Sequence, residues 1–252
     1  MSGSPKLRIL LVEDNKVNQT LAAIVLEQGG HRVNVADNGR LGLEAWRGDR
    51  FDLILMDMMM PEMDGLEATR RIRAEEAERG AGRIPIVAVT ASVMPGDRER
   101  CLRAGMDGFV GKPFTPEVLL REIDRVLGRV VPAGGDSDRS ANMATPVFDR
   151  DDALLRIGGD EELLGTLIDM FVDDTPRYLA ELDAALDAAD WPRLARGAHD
   201  LKGVLATFSA RRAEALAREL EQAGKAGRGV AAAELISPLR RELEMFLCEV
   251  VR

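Results

Sequence analysis

Cysteine, histidine and aromatic residues are all scarce in this chain. Its 252 residues hold two cysteines, two histidines and 4% aromatics. Cys101 and Cys248 fall one in each half, which excludes a disulfide scaffold and points to a reducing, cytoplasmic setting. No apolar run approaches the roughly 18 residues needed to span a bilayer, so no membrane span is expected. The N-terminus lacks a signal-peptide apolar region, and Met1-Ser2-Gly3-Ser4 reads equally as a native start or an appended tag. A basic excess is missing too: residues 1–131 carry 19 Lys+Arg against 20 Asp+Glu, and residues 132–252 carry 15 against 23. Neither half suits nucleic acid as the main partner. What is present is aliphatic: 46% of the residues are hydrophobic, enough for two ordinary domains packed without many rings.

The first half alternates two patterns. Leu7–Val12, Arg32–Ala36, Phe51–Met56, Ile84–Val89 and Gly108–Gly111 are short apolar or β-branched runs that predict strands. Between them, Val17–Gln28, Leu41–Trp46, Leu66–Glu78, Asp97–Ala104 and Pro116–Leu127 have helical periodicity. Five strand–helix repeats predict an α/β fold with a parallel sheet covered on both faces, with its ligand site at the carboxyl ends of the strands. The expected domains are residues 1–130, a linker over 131–147 rich in Gly, Pro and Ser, and residues 148–252. The last segment shows no strand signal. Its helical stretches, Asp151–Arg156, Glu161–Asp173, Pro176–Ala188, Trp191–Phe208, Arg211–Ala223 and Ala231–Val250, predict an antiparallel bundle.

The predicted strands end in polar groups that a core would not choose. Glu13 and Asp14 follow Leu10-Leu11-Val12, Asp57 follows Leu55-Met56, Thr90 follows Val87-Ala88-Val89, and Lys112 follows Phe109-Val110-Gly111. In a parallel sheet all of these ends share one edge. Three carboxylates there repel one another unless a cation sits among them, and hard oxygen donors suit Mg²⁺. Lys112 can pair with an acidic oxygen and Thr90 can donate its hydroxyl. Such a pocket supports phosphoryl transfer to Asp57 as nucleophile, with the cation and Lys112 offsetting charge. The plainer reading makes Glu13 and Asp14 caps of the next helix and Asp57 a loop residue.

Leu11-Val12-Glu13-Asp14-Asn15, Met56-Asp57-Met58-Met59-Met60-Pro61-Glu62-Met63-Asp64-Gly65, Thr90-Ala91 and Gly111-Lys112-Pro113-Phe114 together resemble the response-regulator receiver domain over about Leu7–Leu127. The resemblance implies a flavodoxin-like five-stranded fold and phosphorylation of Asp57. It also implies Mg²⁺ on Glu13 or Asp14, on Asp57 and on the main-chain oxygen of Met59. Phe109 matches the family's aromatic switch position, and without a hydroxyl its switching would be steric. Met59 stands where the family controls attack by water, and an apolar side chain there implies slow self-dephosphorylation.

In the second half one residue stands apart. His199 lies in Ala198-His199-Asp200-Leu201-Lys202-Gly203 within a helical stretch. At about 100° per residue, Leu194, Ala198, Leu201, Leu205 and Phe208 form one apolar line, and His199 falls roughly 140° from it. It is therefore expected to face outward, flanked by Lys202 and Gly203, with Arg196 nearby and the small Ala195 and Ala206 above and below. No second ligand accompanies it, so a metal is not expected, and His31 is given no role. The stretch resembles the signature of the histidine phosphotransfer domain over about Phe148–Val250, which implies a four-helix bundle carrying phosphohistidine. The continuation Val204-Leu205-Ala206-Thr207-Phe208 departs from the usual small, polar one, which bears on partner preference.

The leading expectation is a phosphorelay protein. A histidine kinase supplies phosphoryl to Asp57, and His199 passes it to the receiver aspartate of a further response regulator. A second expectation is the C-terminal receiver–phosphotransfer piece of a hybrid sensor kinase. The sequence has no P-loop pattern, ATP-binding module or dimerising kinase helices. A third, a Mg²⁺-dependent hydrolase using Asp57, leaves the helical half unexplained and lacks a second aspartate at the spacing of a general acid.

Overall fold

The apolar runs of the first half become five strands because each is nearly free of polar side chains and can be covered on both faces. A computed structural model describes residues 6–80, 82–90, 95–129 and 146–250. Strands β1 (Arg8–Val12), β2 (Arg32–Ala36), β3 (Leu53–Asp57), β4 (Ile86–Thr90) and β5 (Gly108–Gly111) are all parallel and ordered β2-β1-β3-β4-β5. β3 and β4 are buried at every position, whereas the edge strand β2 exposes Arg32, Asn34 and Val35. Helices α1 (Lys16–Gln28), α2 (Gly39–Gly48), α3 (Gly65–Arg79) and α4 (Pro95–Ala104) connect them, and α5 (Pro116–Val126) follows β5. α2, α3 and α4 lie side by side. Gly29, at the end of α1, sits close enough to Leu120 of α5 that a Cβ there would stand 3.2 Å from its Cδ2. The predicted flavodoxin-like α/β architecture is the one found.

The register of the sheet decides where the polar strand ends meet. Val12 stands opposite Met56, Asp57 opposite Val89, and Thr90 opposite Gly111. Glu13 therefore emerges beside Asp57, and Lys112 beside Thr90. The order of strands reverses between β1 and β3, which is the place where open α/β sheets form their clefts.

Asn15 caps α1, its side chain accepting from the Asn18 backbone N–H, so neither Glu13 nor Asp14 is spent on that task.

By contact the chain divides into two units, Met1–Ala133 and Gly134–Arg252. Residues 130–145, which include most of the expected linker, lie outside the described residues. The second unit contains a short helix, α6 (Arg150–Arg156), and four long ones: α7 (Glu161–Asp187), α8 (Trp191–Thr207), α9 (Arg211–Lys225) and α10 (Gly229–Val250). Each long helix packs on two others in the cyclic order α7, α8, α9, α10. Four of the seven phenylalanines, Phe148, Phe171, Phe208 and Phe246, meet in its core, with ring centroids 5.3–5.8 Å apart.

One helix boundary differs from expectation. The predicted break between Asp173 and Pro176 is absent, and α7 runs through Pro176 without interruption. Proline removes one backbone bond and costs about 3 kcal/mol in a helix interior. The cost is outweighed because Leu163, Leu167, Phe171, Tyr178, Leu182 and Ala185 bury one continuous face on both sides of it. Thr175 also donates its hydroxyl to the Phe171 carbonyl at 2.7 Å.

Candidate functional site

Asp57 closes β3, and the chain after it must turn back sharply. Gly65 makes that turn possible: a Cβ there would stand 1.9 Å from the Asp57 carbonyl oxygen. The Gly65 N–H donates to the Met58 carbonyl at 3.1 Å, and the Met59 N–H donates to Asp57 Oδ1 at 3.2 Å. Asp57 Oδ2 accepts from Lys112 Nζ at 2.5 Å, and the same ammonium donates to Glu13 Oε2 at 2.5 Å. Asn18 holds the other oxygen of Glu13 at 3.1 Å, and Gln19 donates to its main-chain carbonyl. The Lys112 N–H donates to the Thr90 carbonyl at 2.6 Å, which fixes the lysine against the buried end of β4. Glu13, Asp57, Thr90 and Lys112 thus come together as the strand ends predict.

The charges in this pocket are out of balance. Glu13, Asp14 and Asp57 each place a carboxylate oxygen within 4.8 Å of the others. Burial, with Asp57 alongside, raises Glu13 to about 8 against the pull of Lys112. Burial would lower the Lys112 ammonium, but Asp57 and Glu13 outweigh it and push the group above its ordinary value. Three hard oxygen donors and one shared ammonium leave a deficit of positive charge that a divalent cation fits. Phe109 is partly buried on β5 opposite Ala88, and Met59 is partly buried against the same core. Ala91 lies outside the described residues.

The second site is on α8, and it corrects the sequence reading. Leu194, Ala198, Leu201, Leu205 and Phe208 are buried as expected, yet His199 is only 3% exposed rather than facing outward. A single wheel assumes one packed face, whereas α8 packs on both α7 and α9. Small residues bring α9 close: a Cβ at Gly224 would stand 2.9 Å from the Ala195 backbone nitrogen, one turn from His199. Lys202 and Gly203 are buried with it, whereas Arg196 is exposed and no described bond joins it to the ring.

What meets His199 is Glu221 of α9, a residue the sequence reading missed. Nδ1 of His199 lies 2.9 Å from Glu221 Oε1, Lys202 donates to Glu221 Oε2 at 2.5 Å, and Lys225 donates to Oε1 at 2.5 Å. Lys202 therefore serves Glu221 first, its Nζ standing 3.4 Å from His199 Nδ1. Burial alone would raise Glu221, but His199, Lys202 and Lys225 overcome it and hold the carboxyl well below the ordinary glutamate range. A signal was available: Glu221 lies four residues after Ala217 and eight after Ala213, on the buried face of α9 where a carboxylate needs partners.

Both halves match known families. The family described as the response regulator receiver domain matches residues 9–124, and the Hpt domain family matches residues 166–247. The chain belongs to the two-component phosphorelay proteins, joining a receiver domain to a histidine phosphotransfer domain. It is 32% identical over 230 residues to the virulence sensor protein BvgS of Bordetella pertussis, covering 88% of this chain and 19% of that protein. It is 33% identical over 202 residues to the sensor protein GacS of Pseudomonas syringae, covering 79% of this chain and 21% of that one. The chain thus spans about a fifth of these relatives.

Among solved structures, the receiver domain of the sensor histidine kinase PA1611 of Pseudomonas aeruginosa, described with a magnesium ion in its active-site cleft, is 44% identical. It covers 49% of this chain and 99% of that one, with a TM-score of 0.45. The co-crystal of the Saccharomyces cerevisiae phosphotransfer protein Ypd1 with the Ssk1 receiver domain matches at 31% identity. It covers 48% of this chain and 88% of that one, with a TM-score of 0.46. Among the described residues, no helix is long and apolar enough to cross a membrane.

Proposed function

We propose that Asp57 accepts phosphoryl from the phosphohistidine of a histidine kinase, and that His199 carries phosphoryl onward to the aspartate of another response regulator. The observation that carries this reading is the pair of 2.5 Å contacts from Lys112 to Asp57 and Glu13. They leave Asp57 as a buried, pre-aimed carboxylate with a cation ready to take charge from an incoming phosphoryl oxygen. Mg²⁺ would be held by Asp57, by Glu13 or Asp14 and by the Met59 main-chain oxygen, and would neutralise the phosphoryl oxygens. Thr90 would meet a phosphoryl oxygen through its hydroxyl, and Phe109 would respond sterically. In the second site Lys202, Gly203 and Arg196 would support phosphohistidine. A cytoplasmic location accords with this chemistry.

The similarity to sensor proteins several times longer favours a second description. The same relay would then be one part of a hybrid sensor kinase, with phosphoryl arriving from a kinase module of the same polypeptide.

The test follows label from a phosphorylated histidine kinase, and separately from acetyl phosphate with Mg²⁺, into wild type, Asp57→Ala and His199→Gln. Acid-stable, base-labile acyl phosphate is expected in wild type and in His199→Gln and not in Asp57→Ala. Label that survives in Asp57→Ala and disappears in His199→Gln would overturn Asp57 as the primary acceptor.

A further inference from the structure

Glu13 brings a long side chain to a pocket that needs a fixed one. A glutamate has one more rotatable bond than an aspartate, so more must hold its carboxylate in place. The main chain is pinned first. The Glu13 N–H donates to the Ala36 carbonyl at 3.0 Å, and the Glu13 carbonyl accepts from Gln19 Nε2. The carboxylate is then held from two sides: Lys112 Nζ donates to Oε2 at 2.5 Å, and Asn18 Nδ2 donates to Oε1 at 3.1 Å. The carboxamide thus turns its NH₂ toward Glu13, the one contact that an ionised carboxylate accepts.

Asn18 is itself placed by the start of α1. Its backbone N–H donates to the capping side chain of Asn15 at 3.1 Å. A side chain at this position commonly returns to the cap residue, whereas that of Asn18 reaches further back, to Glu13. Gln19 braces the same turn. Its Nε2 also donates to Asp37 Oδ1 at 2.7 Å, and its Oε1 accepts from Lys16 at 3.1 Å. Glu13, Asn18 and Gln19 are all buried, so none of these polar groups has bulk water as an easy substitute.

We propose that Asn18 is a positioning residue for the receiver pocket, fixing Glu13 Oε1 so that Oε2 stays on the side that Lys112 shares with Asp57, where a divalent cation would be held. This role rests on the reading of Glu13, Asp14 and Asp57 as Mg²⁺ ligands. Asn18 acts through Glu13 and not on the phospho-accepting carboxylate itself. Without its amide, Oε1 is a buried oxygen short of a donor, and the carboxylate turns to find another. That turn carries Oε2 away from the oxygens of Asp14 and Asp57, which now stand within 4.8 Å of Glu13. Partners that orient a ligating side chain typically account for about 10–100-fold in metal affinity.

The experiment measures Mg²⁺ binding to the full, unphosphorylated chain by isothermal titration calorimetry, with urea unfolding in the absence of Mg²⁺ run alongside. Asn18→Leu keeps the bulk and removes the donor, and Asn18→Ala gives the same comparison should the leucine not fit. Either variant, shown folded, should bind Mg²⁺ about tenfold more weakly than wild type. Glu13→Asp shortens the arm by one methylene, so that it no longer spans Asn18 and Lys112 together. In that background Asn18→Leu should cost far less, because the two positions are no longer coupled. Folded Asn18 variants with lowered stability but the Mg²⁺ affinity of wild type would overturn the proposal and leave the amide a structural hydrogen bond. An equal loss in both backgrounds would also overturn it, since the effect would not run through Glu13. A wild type that binds no Mg²⁺ at all fails differently: it overturns the metal reading, and the role of Asn18 with it.

Discussion

Lys112 Nζ stands 2.5 Å from Glu13 Oε2 and 2.5 Å from Asp57 Oδ2, one buried ammonium shared by two buried carboxylates that arrive on different strands. Removing one partner of a buried ionic group leaves charge uncompensated, at a cost of about 3–5 kcal/mol. Lys112→Met should therefore lower the urea stability of the receiver unit by that order, and millimolar Mg²⁺ should recover part of the loss. A Lys112→Met chain within ~0.5 kcal/mol of wild type, the scatter expected of surface substitutions, would mean that the shared ammonium carries little.

Met59 lies two residues beyond Asp57, partly buried against the core, with its N–H on Asp57 Oδ1. Its thioether offers water no strong hydrogen-bond partner beside an acyl phosphate. Met59→Asn supplies one, and should shorten the lifetime of phosphorylated Asp57 by about tenfold, equivalent to ~1.4 kcal/mol in the barrier. Loss of acid-stable label with time in both proteins measures this, and equal decay rates would remove Met59 from control of the water.

Gly65 sits where a side chain would enter the Asp57 carbonyl. Gly65→Ala forces the β3–α3 turn outward and carries Asp57 with it. Unfolding curves should show a destabilisation of about 1–3 kcal/mol, as for overpacked cores. Acetyl phosphate labelling should fall further than the folded fraction does. Labelling that merely tracks the folded fraction would separate the turn from the aim of Asp57.

Pro176 is exposed on α7 and removes a backbone bond to Val172. Pro176→Ala restores that donor, so the phosphotransfer unit should gain about 1–3 kcal/mol, seen as a raised Tm. A lowered Tm would show that the proline shapes the α7 surface in a way its neighbours require.

Glu221 titrates lower in the folded chain than its ordinary value of 4.5. The sign follows from linkage. The stabilisation is complete above about pH 4.5, and it declines as pH falls toward the folded value, because the unfolded chain takes up the proton first. The stability difference between wild type and Glu221→Gln should therefore narrow steadily as pH falls below about 4.5. Urea titrations at stepped pH measure it, and a difference that widened as pH falls from 4.5 would contradict the ion-pair assignment.

Much of the receiver was legible because its signals are local. Aliphatic runs of five residues specify buried parallel strands, and the polar group ending each run is placed by the strand itself. Once the strands are parallel, Glu13, Asp57, Thr90 and Lys112 have only one edge to share. The histidine was legible as a residue and misplaced as a position. Its angle on α8 is a local property, but what stands at that angle is not. Gly224 lets α9 approach Ala195, and Glu221 then closes on Nδ1 from 22 residues away.

The same division explains α7. A proline predicts a break from local geometry alone, and the buried face running from Leu163 to Ala185 overrides it. The sequence by itself determined the two folds and singled out Asp57, its carboxylate neighbours and His199. Only the tertiary structure decided that His199 is buried and paired with Glu221, because the packing of one helix against another depends on small residues in both, which no single helix records.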